Sequence, residues 1–131
     1  SLTQRPDLFG AVAAQHGLFD MLRYPQLGDG PAWLNEFGNP ADPGDFDPIF
    51  AYSPLHNLPP DDYPATLLLA PGPSSRPIAI HTWKFGAALQ HQQQEAAPIV
   101  LSLPKNAPSA VETGAEVAAF LMYNLKVPMP Q

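Results

Sequence analysis

The stretch Ala65-Thr66-Leu67-Leu68-Leu69-Ala70, followed by Pro71-Gly72-Pro73-Ser74-Ser75-Arg76, decides how the chain is read. A short apolar run closed by Pro64 on one side and a Pro/Gly cluster on the other predicts a buried strand. Ile78 to Gln94 then has helical spacing, with an expected apolar stripe at Ile80, Trp83, Lys84/Ala87 and Ala88. A buried strand feeding a helix is half of a parallel βαβ unit. Ligands of such sheets gather where the strands end, which here is the neighbourhood of Ser74, Ser75 and Arg76.

Upstream, Phe9 to Gln15 is apolar and small. It predicts a strand, with a short helix as the alternative because alanine favours one. Ser1 to Gln4 reads as the tail of an element, and Leu18 to Arg23 as one or two helical turns. Residues 24–64 form a long connection rich in Pro, Gly, Asn and Asp, expected to contain short helices. One is expected over Pro31–Phe37. Another runs over Asp42–Tyr52, with Asp42 as N-cap and Pro43 at the first helical position.

Downstream, Pro98–Leu103 is a second β-branched run. Val111–Leu125 is the clearest helix, with Val111, Ala115, Ala118, Ala119, Met122 and Leu125 on or near one face and Phe120 and Leu121 widening it. Ser109 and Glu112 have capping-box spacing, and the glutamines at 92–94 read as a fraying helix end. The expected fold class is α/β: a small parallel sheet of about three strands with packed helices, over a single domain spanning 1–131. So thin a sheet leaves its first edge bare unless another chain, a second copy or a loop covers it.

Composition narrows the function classes. The chain has 131 residues, 18 prolines, no cysteine and a formal charge of −6. Six scattered basic residues argue against nucleic acid. No apolar run approaches the ~20 residues that span a bilayer, and the first ten residues lack a signal-peptide pattern. The absence of cysteine excludes thiolate chemistry and fits a cytoplasmic protein. No cofactor or metal is expected. His16, His56, His81 and His91 include no His-x-x-x-His pair, and the aspartates at 42, 45 and 47 lack the terminal glutamate of a calcium loop.

Four blocks carry a resemblance: Gln4-Arg5-Pro6-Asp7-Leu8-Phe9-Gly10, Asp20-Met21-Leu22-Arg23, Tyr52-Ser53-Pro54-Leu55-His56-Asn57, and Asp62-Tyr63-Pro64-Ala65-Thr66-Leu67-Leu68-Leu69. In this order and spacing the chain, from residue 4 to about 127, resembles the C-terminal part of the catalytic domain of the prolyl oligopeptidase family. The resemblance implies part of an α/β-hydrolase fold and a serine peptidase ancestry. It also implies catalytic positions that are not filled. Ser74 stands where the family has its triad aspartate, Pro108 where it has its histidine, and no Gly-x-Ser-x-Gly elbow occurs in these residues. On the recognition side, Trp33 matches the indole that stacks on a substrate proline, Phe37 a pocket tyrosine, and Arg76 an arginine that binds a substrate carbonyl. His16, Asp29 and Pro77 replace apolar pocket residues.

The expectation is therefore an inactive remnant or fragment of such a domain, acting as a scaffold or interaction unit. The alternatives are half of an endopeptidase cleaving after proline, completed by another chain, and a module that binds proline-containing peptides.

Overall fold

The computed structural model describes residues 1–72 and 76–128. Its regular elements are β1 (Ala11–Gln15), α1 (Leu34–Phe37), α2 (Pro43–Tyr52), β2 (Ala65–Leu69), α3 (Arg76–Gln92), β3 (Ile99–Ser102) and α4 (Ala110–Asn124). Short 3-10 turns punctuate the first half. The strands form one parallel sheet in the order β1-β2-β3, with Ala13 opposite Leu67 and Leu67 opposite Val100.

All five residues of β2 are buried, so the apolar run reads as it does because it has neighbours on both faces and both edges. Leu68 packs with Leu58, Tyr63, Phe85 and Leu89 in the main core. Phe19 stacks on Phe85 with ring centroids 4.3 Å apart.

The long connection builds a second core of its own. Met21, Tyr24 and Ile49 are buried there, with Trp33, Leu34 and Phe37 packed around them. Within it, Asp42 caps α2 by accepting the Gly44 N–H at 2.8 Å. The expected helix over Pro31–Phe37 is split into a 3-10 turn, Gly30–Trp33, and α1. No helix forms over 18–23, contrary to expectation. The Asp20 N–H donates to His81 Nδ1 and the Met21 N–H to Ser53 Oγ, both at 3.1 Å. Distant side chains thus satisfy both of these buried amides.

The buried faces of α3 and α4 also differ from the expected stripes. On α3 the inward residues are Ala79, His81, Thr82, Phe85 and Leu89, while Trp83 is 44% exposed. Gly86 explains the rotation. A Cβ built there would lie 2.7 Å from both Leu101 methyls, so the helix backbone rides directly on β3. On α4 the half-buried residues are Thr113, Val117, Phe120, Leu121, Met122 and Asn124, so Phe120, Leu121 and Met122 turn inward as expected, while Val111, Ala115, Ala118, Ala119 and Leu125 are exposed. The capping box at its start forms as expected, Ser109 Oγ accepting from the Glu112 N–H and the Glu112 carboxylate from the Ser109 N–H. Nor is Gln93 a frayed end. Its side chain donates to the Tyr63 and Ala97 carbonyls and accepts the Tyr63 N–H, pinning the entry to β2 against the end of α3.

Candidate functional site

The three strands end together, and their carboxyl ends open into a cavity of about 580 Å³. Gln15 and His16 line it from β1, Pro71 and Gly72 from the end of β2, Ala107 and Pro108 from the β3–α4 loop, and Thr113 and Val117 from α4. A smaller pocket beside it adds Ser102 and Glu116. The loops after β2 and after β3 touch here: a Cβ on Gly72 would sit 3.0 Å from the Ala107 Cα. That contact brings the chain just before Ser74 and the chain just before Pro108 to one place. Ser74 itself lies outside the described residues, and Arg76 opens α3.

His16 follows β1 with φ +49°, in the left-handed region that few residues other than glycine adopt and that histidine, like asparagine and aspartate, enters more often than most. Its N–H still donates to the Leu69 carbonyl at 3.3 Å. Backbone strain of this kind costs about 1–3 kcal/mol and tends to collect at functional positions. Among the described residues His16 is the only imidazole lining the cavity, where the resemblance expected an apolar pocket residue.

Trp33 and Phe37 do come together. Their rings meet edge to face at 6.5 Å, and Phe37 meets Tyr24 the same way at 5.7 Å. Both rings belong to the second core, so packing accounts for their spacing on the chain. The Tyr24 hydroxyl donates to the Gly38 carbonyl behind them, and burial pushes the phenol's pKa up.

A buried polar network beneath the loops escaped the residue-by-residue reading. The Asp20 side chain is fully buried and pairs with Lys84 Nζ. Arg23 Nη1 stands 4.0 Å from the same carboxylate oxygen, and His56 Nε2 3.9 Å from the other. His56 Nδ1 meets Ser53 Oγ at 2.8 Å. Ser53 Oγ also accepts the Met21 N–H, and the tautomer of His56 sets which of the two side chains donates to the other.

Serine, histidine and aspartate thus stand in relay order, yet the arrangement does no acyl chemistry. Ser53 is fully buried, so no substrate carbonyl reaches its oxygen. The 3.9 Å step from His56 to Asp20 exceeds hydrogen-bond length. His81 completes the network. Burial lowers its pKa, against the opposing pull of Asp20, and a neutral ring is what allows Nδ1 to accept the Asp20 N–H. Two of the quoted blocks, Asp20–Arg23 and Tyr52–Asn57, contain Asp20, Arg23, Ser53 and His56. Their clustering was the available signal, and His81 and Lys84 gave none beyond sharing a helix.

A parallel sheet flanked by helices, with its cleft at the strand ends, makes this chain an α/β unit. The sequence profile of the prolyl oligopeptidase family matches residues 1–106, and the chain belongs to that family. It is 38% identical over 105 residues to prolyl oligopeptidase A of Amanita bisporigera, covering 79% of this chain and 14% of that protein. To prolyl oligopeptidase ophP of Omphalotus olearius it is 45% identical over 91 residues, 67% of this chain and 12% of that one. Among solved structures, apo prolyl oligopeptidase B from Galerina marginata superposes with a TM-score of 0.83 at 33% identity, over 92% of this chain and 18% of that chain. Oligopeptidase B from Leishmania major, at 23% identity, shares the fold with a TM-score of 0.87 over 95% of this chain and 19% of that one. The chain therefore spans only about a seventh of the length of the first curated relative it matches.

Proposed function

We propose that this chain is a non-hydrolytic unit of the prolyl oligopeptidase family that acts through binding. One observation carries the reading: Pro108, at the position where the resemblance expects the base, lines the strand-end cavity. A pyrrolidine ring neither takes nor gives a proton. Acyl transfer needs an alcohol, an imidazole to accept its proton and a carboxylate to hold that imidazole. The serine at position 74 replaces the acid, and these residues include no nucleophile elbow. Losing one member of such a set typically costs several powers of ten in rate.

The test is hydrolysis of a proline-containing reporter peptide by the pure chain. No turnover above buffer is expected, and robust turnover would overturn the reading. The rival half-enzyme reading, an endopeptidase completed by another chain, predicts covalent labelling by a serine-directed phosphonate once an N-terminal half is added. Absence of label removes it.

A peptide-binding role keeps some support from the preserved Trp33–Phe37 pair and from Arg76. Indole fluorescence during titration with a proline-rich peptide addresses it. No helix among the described residues is long and apolar enough to cross a membrane; a cytoplasmic setting is proposed on the lack of cysteine.

A further inference from the structure

The connection between β1 and β2 is a lobe on a tied neck. Its core of Met21, Tyr24 and Ile49 shares no residue with the main core around Leu68. Bonds of its own hold it together. The Tyr24 hydroxyl donates to the Gly38 carbonyl, the Tyr52 hydroxyl to the Phe37 carbonyl, and the Asn39 N–H to the Asp45 carboxylate. The two ends of the lobe are stapled side by side. The Met21 N–H donates to Ser53 Oγ, and the Leu55 N–H to the Phe19 carbonyl at 2.9 Å. Below the staple, Phe19 and Leu55 pack in the main core.

What joins the lobe to the helix behind it is polar and converges on one residue. Among the described residues, two hydrogen bonds link α3 to residues 20–53, and both involve Asp20. Its N–H donates to His81 Nδ1 at 3.1 Å, and its carboxylate accepts from Lys84 Nζ. A buried polar set contributes less when part of it stays unpaired, and Asp20 Oδ1 and His81 Nε2 are both buried without a hydrogen-bond partner. His81 holds the Asp20 N–H only as a neutral ring, because a charged imidazole carries a proton on both nitrogens. A proton at Nδ1 turns that acceptor into a donor facing a donor. It also adds charge to a crowded place. The Asp20 carboxylate already has two cations near it, Lys84 and Arg23, and His56 Nε2 stands 3.9 Å from its other oxygen. β1, β2 and β3 bring no ionisable side chain to offset a further positive charge. Burial lowers the His81 pKa, with Asp20 opposing that shift and Lys84 adding to it.

We infer that the lobe of residues 20–53 is hinged at Phe19 and Leu55, held shut through Asp20, and released when His81 takes a proton. Release turns the Trp33–Phe37 pair, which the lobe carries, relative to α3 and leaves the lobe's own core folded, a local opening rather than global unfolding. The inference concerns how the lobe is held. It stands whether or not a peptide lies on Trp33 and Phe37, so failure of the binding reading leaves it untouched.

Native-state hydrogen exchange of the 131-residue chain in low urea, at about pH 7 and about pH 5, is the test. Amides of residues 20–53 should share one opening whose urea dependence is weaker than that of the β2 amides, because less surface is exposed. The equilibrium constant of that opening should rise by about threefold or more at the lower pH, after correction for the chemical exchange rate. His81→Gln keeps an acceptor for the Asp20 N–H and cannot be charged, so its opening should be the same at both pH values. His91→Gln, at an exposed position near the end of α3, should behave as the parent does. The parent carries a second readout that needs no variant: the Asp20 amide resonance and the His81 ring should titrate with one midpoint. A lobe that exchanges only together with β2, at the global urea dependence, overturns the inference. So does an opening indifferent to pH, one that stays acid-sensitive in His81→Gln, or an Asp20 amide that ignores the His81 titration.

Discussion

Lys84→Met isolates the energetics of the buried network. The Asp20 carboxylate is fully buried, and Lys84 is its contacting cation. Removing one partner of a buried pair typically costs about 3–5 kcal/mol, because the other charge stays desolvated and unpaired. Two features reduce that figure here. The Lys84 side chain is 32% exposed, so part of its attraction is screened, and Arg23 and His56 remain near 4 Å from the carboxylate. A loss of about 2–3 kcal/mol follows.

The assay is urea denaturation at one fixed protein concentration, followed by indole fluorescence. The control is Asp20→Asn with Lys84→Met. Deleting the buried charge together with its counter-ion should return stability to within about 1 kcal/mol of the parent. If Lys84→Met alone stays within about 0.5 kcal/mol of the parent, the carboxylate is not held as an unsolvated anion, and this account of the network fails.

Stability should also fall with acid through His81. Its folded-state pKa is lowered from 6.5, so below pH 6.5 the unfolded chain binds the proton more readily than the native one. The stabilisation is complete above pH 6.5 and is lost as pH falls from there through the native value. Denaturation curves between pH 5 and 7 should show that slope, and His81→Gln should flatten it. Ser53→Ala should cost about 1–2 kcal/mol, because the Met21 N–H loses a buried acceptor. The same variant should leave labelling by a serine-directed phosphonate at background, whereas a drop from a real signal would make Ser53 a nucleophile.

What could be read from the sequence was local. The proline-bounded run at 65–69, the Asp42-Pro43 start of α2 and the Ser109–Glu112 box each announce themselves within a few residues. The face of α3 and the first turns of α4 could not be read that way, because polar side chains point inward on both. His81 and Thr82 are buried by α3, while Thr113 and Asn124 turn toward the sheet on α4. An apolar-stripe reading counts such residues as outward. Gly86 has no side chain to register in a pattern, yet it sets the rotation of α3.

The site divides similarly. The strand ends are predictable from topology, and His16 sits among them. The network joins Asp20 to His81 across 61 positions, a separation over which periodicity carries no information. The quoted blocks flagged its loop half as a unit without saying what bound it together.

The close seating of Gly86 on Leu101 has a reach beyond its own contact. The helix is a stiff rod, and ten residues at 1.5 Å each put Gly86 about 15 Å from the start of α3 at the mouth of the cleft. A single methyl group added at Gly86 acts as a fulcrum. It props the rod off the sheet and swings the far end, so the small pocket that Ala79 and Trp83 share with Ala70, Pro71 and Gly72 becomes adjustable from a residue outside it.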